Sequence, residues 1–220
     1  MSVLYDAYDR LLKAFGHQHW WPGDSAFEIA VGAILTQNTN WKNVEKALEN
    51  LRESDALSVS AIDNLAQEEL EELIRPAGYF RLKTKRLKNF VSLIMNEFDG
   101  DFDLFLGLDK ESLREKLLGV NGIGPETADS IVLYAAEKPI FVIDAYTSRV
   151  LKRHGWIDYD ADYFAMQEYF HSSLETNVEL FNEYHALIVQ VGKQFCGKKP
   201  KCDECPLCEM LPDSGIVEPF

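Results

Sequence analysis

Cys196, Cys202, Cys205 and Cys208 are the only cysteines of this 220-residue chain. A disulfide framework would spread its cysteines along the sequence. Four thiols at C-x5-C-x2-C-x2-C spacing suit a metal or cluster site instead. A [4Fe–4S] cluster and a tetrahedral zinc ion both take four thiolates, and spacing alone does not choose between them. A second chemical candidate is Asp144, a single carboxylate that follows the apolar KPIFVI and precedes AYTSRVLKRHG. Such a residue either caps a helix or lends its charge to a reaction. A third is GVNGIGPETA (119–128), where Gly122 and Gly124 stand just before Pro125. Both glycines permit positive φ and leave no Cβ in the way, and proline suits a first helical position. Backbone N–H groups gathered at such a helix start hold an anion; the plainer reading is a tight turn between two helices.

Aromatic and basic residues add to this set. HQHWWPGD (17–24) and QNTNWKN (37–43) hold Trp20, Trp21 and Trp41, three of the four tryptophans. Indole faces stack on flat rings and attract cations, although large aromatics also fill cores. The Gln37 amide offers both a donor and an acceptor, or serves as a turn residue in QNTN. Cations cluster in RLKTKRLK (81–88), which includes Lys83 and Lys85. They recur at Arg149, Lys152 and Arg153 after Asp144, and at Lys198, Lys199 and Lys201 in the cysteine loop. Each run alone is a solvated helix face. The net charge of -14 opposes phosphate binding over the whole surface but leaves room for one basic face.

The elements that must position these residues read as helical throughout. Apolar periodicity predicts helices at Ser2–Phe15, Ala26–Leu35, Trp41–Leu51, Ser60–Asn64, Gln67–Ile74 and Tyr79–Phe98. It continues with Lys110–Leu117, Pro125–Ala136, Asp144–His154, Tyr163–Leu174 and Val178–Phe195. Separators such as WPGD, QNTN, RPAG and VNGIG carry turn residues. KPIFVID reads as a buried connector and not a strand, so the fold class is all-α. The tail after Leu211 is expected to be loosely held. No apolar run approaches the roughly 20 residues of a membrane span. The N-terminus reads as an amphipathic helix and not as a signal peptide, which gives a cytoplasmic expectation.

The ordered set ILTQNT (34–39), RPAGYFRLKTKRL (75–87), GVNGIGPETA (119–128), VIDAYTSRV (142–150) and the terminal cysteines resembles the endonuclease III (helix–hairpin–helix, Gly/Pro/Asp) superfamily of DNA glycosylases. The resemblance covers most of the chain. It implies that Asp144 is catalytic, stabilising positive charge on a deoxyribose and directing a water. Bifunctional members carry a nucleophilic lysine where this chain has Glu126, and a carboxylate cannot form an imine. The resemblance therefore implies a monofunctional enzyme, provided that Lys83, Lys85 and Lys193 stay out of the site. Glu126 itself contacts the base, contributes charge or favours the helix start.

WWP, LTQNT followed by an aromatic, and GIG followed by Glu look like the 3-methyladenine glycosylase branch. That likeness implies a pocket for a flipped base built from Trp20, Trp21, Pro22 and Trp41, with Gln37 entering the gap the base leaves. Gly122, Gly124, Lys83, Lys85, Arg149, Lys198 and Lys199 would meet DNA. The cysteines would hold a [4Fe–4S] cluster, with zinc the lesser alternative; the family spacing is C-x6-C-x2-C-x5-C, and both outer intervals are shorter here. The expected architecture is a helical barrel domain at 23–134 that includes the hairpin, and a second helical domain formed by 1–22 plus 135–220 with the cluster. Asp144 and the hairpin are expected near the cleft between the two. The expected function is release of an alkylated purine from double-stranded DNA by a monomer, with no membrane involved. Removal of an oxidised pyrimidine or mispaired adenine, and lesion binding without cleavage, are the rival readings.

Overall fold

The computed structural model describes residues 2–218. Among them every α-helical, π-helical and 3-10 segment belongs to one ordered series, and no strand occurs. The α-helices are α1 (Val3–Phe15), α2 (Ala26–Leu35), α3 (Trp41–Glu53), α4 (Val59–Asn64), α5 (Gln67–Leu73) and α6 (Phe80–Phe98). They continue with α7 (Phe102–Leu106), α8 (Lys110–Gly119), α9 (Pro125–Ser130), α10 (Ala145–Arg153), α11 (Tyr163–Ser173) and α12 (Val178–Gln194). No described helix is long and apolar enough to cross a membrane. The chain divides into two compact units, Met1–Trp20 with Pro139–Phe220, and Trp21–Lys138.

In the first unit, α12 is the central element. It buries Phe181, Tyr184, Leu187, Ile188 and Val191, at spacings that keep one broad apolar stripe inward. Ser2 caps α1 through the Leu4 amide at 3.2 Å, and Leu4, Ala7 and Leu11 are fully buried. The Tyr184 hydroxyl donates to the Leu4 carbonyl at 2.8 Å, which ties α1 to α12. Helix α10 also lies against α12: a Cβ at Gly192 would overlap the Tyr146 ring.

The connector before α10 is extended and buried, with Ile140, Phe141, Val142 and Ile143 each at most 3% exposed. A buried backbone without a ladder needs other partners. Here the Phe141 N–H donates to His171 Nε2 at 2.9 Å, and Gln167 Nε2 donates to the Phe141 carbonyl at 2.7 Å. This anchored segment delivers Asp144 to the head of α10.

The tail corrects the expectation of loose attachment. The Val217 amide donates to the Arg153 carbonyl at 2.8 Å, and the Glu218 carboxylate lies 3.6 Å from the Arg153 guanidinium. Leu211 and Ile216 pack beside the cysteines. Isolated apolar residues in a short polar tail carry no periodicity, so this docking has no sequence signal.

The second unit runs from α2 to the end of the hairpin. Phe27, Phe90, Phe98, Phe102 and Phe105 form a network of ring contacts at its core. The periodicity reading missed α7, whose five residues are too few to show a period. Helices α8 and α9 form the expected helix–hairpin–helix. Arg114 on α8 donates to the fully buried Asp129 of α9 at 2.6 Å. Removing one partner of such a pair costs about 3–5 kcal/mol. The helix expected at Pro125–Ala136 changes winding partway: after Ser130, Ile131–Ala135 forms a π-helical turn with all five residues buried. Such turns are rare and recur at functional sites.

Candidate active site

Asp144 occupies the N-cap of α10 with extended backbone, and its Oδ1 accepts the Thr147 amide at 2.7 Å. The capping reading is therefore satisfied, at about 1 kcal/mol of helix stability. It uses only one carboxylate oxygen. Oδ2 lies 3.9 Å from Nε2 of His185, a histidine of α12 that is 4% exposed. Burial pushes the His185 pKa down; the Asp144 charge pulls against that and the Lys193 charge adds to it. Lys193 itself is exposed, with its ammonium 5.4 Å from the centre of the Trp20 ring. Trp20 thus belongs to the first unit, beside an amine.

The cysteines lie in the same unit. None is in a disulfide, and all four line one small cavity of about 20 Å³ with Val150, Arg153, His154 and Leu207. Burial raises the pKa of Cys202 and of Cys205. Among the described residues, no three His, Cys, Asp or Glu side chains are arranged to hold a single metal ion. Arg153 donates to Cys196 Sγ at 3.4 Å and to the Gly197 carbonyl at 2.7 Å. Arg149, one turn earlier on α10, donates to the Cys196 carbonyl at 2.5 Å and lies over the Tyr146 ring. Its expected phosphate contact is thus shared with an internal bond. Lys198 and Lys199 are exposed on the loop.

In the second unit the two hairpin glycines play different parts. Gly122 has φ 100°, and a Cβ there would overlap the stem of Arg86. Gly124 does not use the freedom of positive φ: it is extended at φ −96°, ψ 177°, a conformation open to any residue. A Cβ at Gly124 would meet nothing within 4 Å. It starts α9 with no side-chain cap, so the first N–H groups of the helix have no acceptor from the cap residue. Glu126 is exposed in that first turn.

Gln37 is fastened to the same hairpin. Its Nε2 donates to the Gly122 carbonyl at 3.1 Å and to Thr127 Oγ1 at 2.9 Å, while Arg86 donates to its Oε1. Both ends of the amide are engaged, so entry into a base gap would exchange these bonds for others.

Trp21 meets Trp41 edge-on at 5.2 Å between ring centres and Tyr134 at 5.1 Å. Trp41 Nε1 donates to Glu45 at 2.9 Å. Gly32 on α2 floors this corner: a Cβ there would lie 3.6 Å from Trp21 and 3.7 Å from Trp41. Pro22 is exposed beside it in sequence.

Lys83 is a correction to the expected DNA contacts. It is 1% exposed, and its ammonium donates to the Leu35 carbonyl at 2.7 Å, Thr39 Oγ1 at 2.6 Å and the Ala77 carbonyl at 2.8 Å. Burial first, and the neighbouring Arg86 second, lower its pKa to about 8. It braces the end of α2 and cannot reach a phosphate. Lys85 is exposed, as a phosphate contact requires.

The sequence reading missed Tyr134, Gly32 and His185, and placed Arg86 in the basic run 81–88 without its bond to Gln37. A glycine inside the apolar AFEIAVGAIL and a histidine at the edge of the apolar ALIVQVG were the available signals.

Comparison with known proteins gives a consistent picture. The model of the HhH-GPD superfamily of base excision DNA repair proteins matches residues 31–175. A protein of Methanocaldococcus jannaschii, provisionally named a DNA repair glycosylase, is 48% identical over 210 residues, covering 94% of this chain and 95% of that one. Endonuclease III of Sulfolobus acidocaldarius is 30% identical over 82% of this chain and 79% of its own. Among solved structures, the 3-methyladenine DNA glycosylase MagIII of H. pylori, bound to 1,N6-ethenoadenine, superposes with a TM-score of 0.73 at 30% identity, over 87% of this chain and 96% of that one. A non-covalent endonuclease III–DNA complex superposes with a TM-score of 0.82 at 22% identity over 97% of each chain, a likeness of fold.

Proposed function

We propose, from the premise that this chain belongs to the HhH-GPD superfamily of base excision DNA repair proteins and is a DNA glycosylase, that it hydrolyses the N-glycosidic bond of an alkylated purine and leaves an abasic site. The observation that carries the substrate class is the aromatic corner of Trp21, Trp41 and Tyr134 over Gly32. Such a surface suits a flat, positively charged ring. Alkylation at ring nitrogen already weakens the bond to the sugar, so stacking of the base and a carboxylate for the sugar cation suffice. MagIII, with an ethenoadenine bound, supports the same class.

Each residue has a distinct task. The bare start of α9 and the exposed Lys85, Lys198 and Lys199 would hold phosphates. The base leaves the stack for the aromatic surface. As the glycosidic bond breaks, its electron pair goes to the departing purine and positive charge grows on the deoxyribose. The Asp144 carboxylate stabilises that charge and accepts a proton from the water that adds to the sugar. Glu126 offers no amine, so the product is a free base and an abasic site, not an imine.

Four thiols that line one space suit a cluster held by four thiolates. Cys196, Cys202, Cys205 and Cys208 would hold a [4Fe–4S] cluster, whose contribution is to cross-link the loop.

Lys193 supports a second reading. It is an exposed amine in the unit that holds Asp144 and Trp20, and an amine is what a bifunctional enzyme requires. Chromatography of bases released from methylated DNA tests the substrate. Borohydride trapping separates the two readings: a covalent adduct lost in Lys193→Met would replace the monofunctional mechanism.

A further inference from the structure

We propose that His185 is a positioning residue for Asp144: its imidazole edge holds the Oδ2 side of the carboxylate while the Thr147 amide holds Oδ1, so that the charge faces one fixed direction. The inference rests on the reading of Asp144 as the group that stabilises the sugar cation.

Three observations carry it. First, the contact is built by packing. His185 sits on α12, which lies against α10, and is 4% exposed with the Phe141 ring perpendicular to it at 6.4 Å. At 3.9 Å from Oδ2, Nε2 is past hydrogen-bond length, but within reach of a small turn of the carboxylate or of one water held by both groups. The imidazole Nε2 is therefore a polar group facing Oδ2. Second, Asp144 has one oxygen fixed and one left to aim. Oδ1 is bonded at 2.7 Å, and rotation of the carboxylate about that bond is what the His185 edge limits. Third, an imidazole is an expensive way to fill an apolar position, since a buried polar ring must be compensated where leucine or phenylalanine need not be. Burial holds the ring toward its neutral form. A neutral ring orients the carboxylate without cancelling the negative charge that a sugar cation needs.

The test compares binding of duplex DNA carrying a pyrrolidine abasic analogue, which is cationic, with the same duplex carrying neutral tetrahydrofuran. The ratio of the two affinities reads the aim of the Asp144 charge and needs no knowledge of the excised base. Wild type should prefer the cation, and Asp144→Asn should lose that preference. His185→Leu should reduce the preference by about tenfold to 10²-fold, the upper figure being the cost of a group misplaced by about 1 Å. His185→Gln, which carries an N–H to the Nε2 position, should restore most of it.

A merely structural role would shift both affinities together and leave the ratio alone. If His185→Leu does not fold, His185→Gln against His185→Asn makes the same comparison, since the shorter amide falls short of Oδ2. Equal ratios for Gln and Asn, or a wild-type ratio in His185→Leu, would overturn the inference while Asp144→Asn still loses the preference. A wild-type ratio in Asp144→Asn would instead overturn the role of Asp144 itself.

Discussion

Helices α9 and α10 begin in opposite ways. Gly124 starts α9 with extended backbone and no side-chain cap, and Pro125 follows at the first position. Asp144 starts α10 with equally extended backbone, and its own carboxylate accepts the Thr147 amide. A helix start concentrates partial positive charge. One end leaves that charge for an anion from outside, and the other answers it with a fixed anion. The difference lies in one side chain at the same structural position. In the proposed function it separates the phosphate site from the group that meets the developing cation.

Exchanging the features of the two ends tests the contrast, and the largest effect belongs to the fixed anion. Asp144→Asn keeps a capping oxygen but removes the charge. Single-turnover base release should fall about 10³-fold, within the range of acid–base contributions, with DNA affinity nearly unchanged. Glu126→Gln, in the first turn of the other helix, should alter the same rate by less than about threefold if the carboxylate there only favours the helix start. A loss as large as that of Asp144→Asn would make Glu126 a second catalytic carboxylate.

The aromatic corner comes next. Trp41→Ala should weaken discrimination for the damaged base by about 1–3 kcal/mol, the value of a stacked aromatic, measured as kcat/KM against lesion-free competitor DNA. A smaller step gives the bare helix end the cap it lacks. Gly124→Ser should stabilise the second unit by only a few tenths of a kcal/mol while weakening binding of undamaged DNA several-fold. Unchanged binding would show that the α9 amides do not face phosphate.

The smallest effects separate two lysines two residues apart. Lys85→Ala should lower the salt slope of DNA binding by about 1, and Lys83→Met should leave that slope alone. Lys83 acts on stability. Its folded pKa of about 8 lies below the ordinary 10.5, so between these values the unfolded chain binds more protons than the folded one. Stability must then rise with pH through that window. Denaturant titrations should show wild type gaining on Lys83→Met from pH 8 to 10.5.

Much of this was legible beforehand. The helices, the hairpin and the placement of Asp144 at a helix head follow from periodicity and from Gly, Pro and Asp signals, which act locally. Lys83 and Lys85 looked alike in RLKTKRLK because a charge run shows nothing of which side chain turns inward. Gly122 and Gly124 looked alike because the sequence marks where φ is free and not which glycine uses the freedom. The winding change at Ile131 has no signal, since an apolar run suits either helix.

The sequence by itself determined the local chemistry: a carboxylate able to cap α10, a helix start without a cap, and four thiols close enough along the chain to act together. These depend on neighbours within a few residues. Tertiary packing decided everything that joins distant residues. It tied Gln37 and Arg86 to the hairpin, buried Lys83 against three oxygens, set Tyr134 beside Trp21, docked the tail on Arg153 and put His185 next to Asp144. Those contacts arise only when whole helix faces are buried together, and the free energy of that burial belongs to no single stretch of sequence.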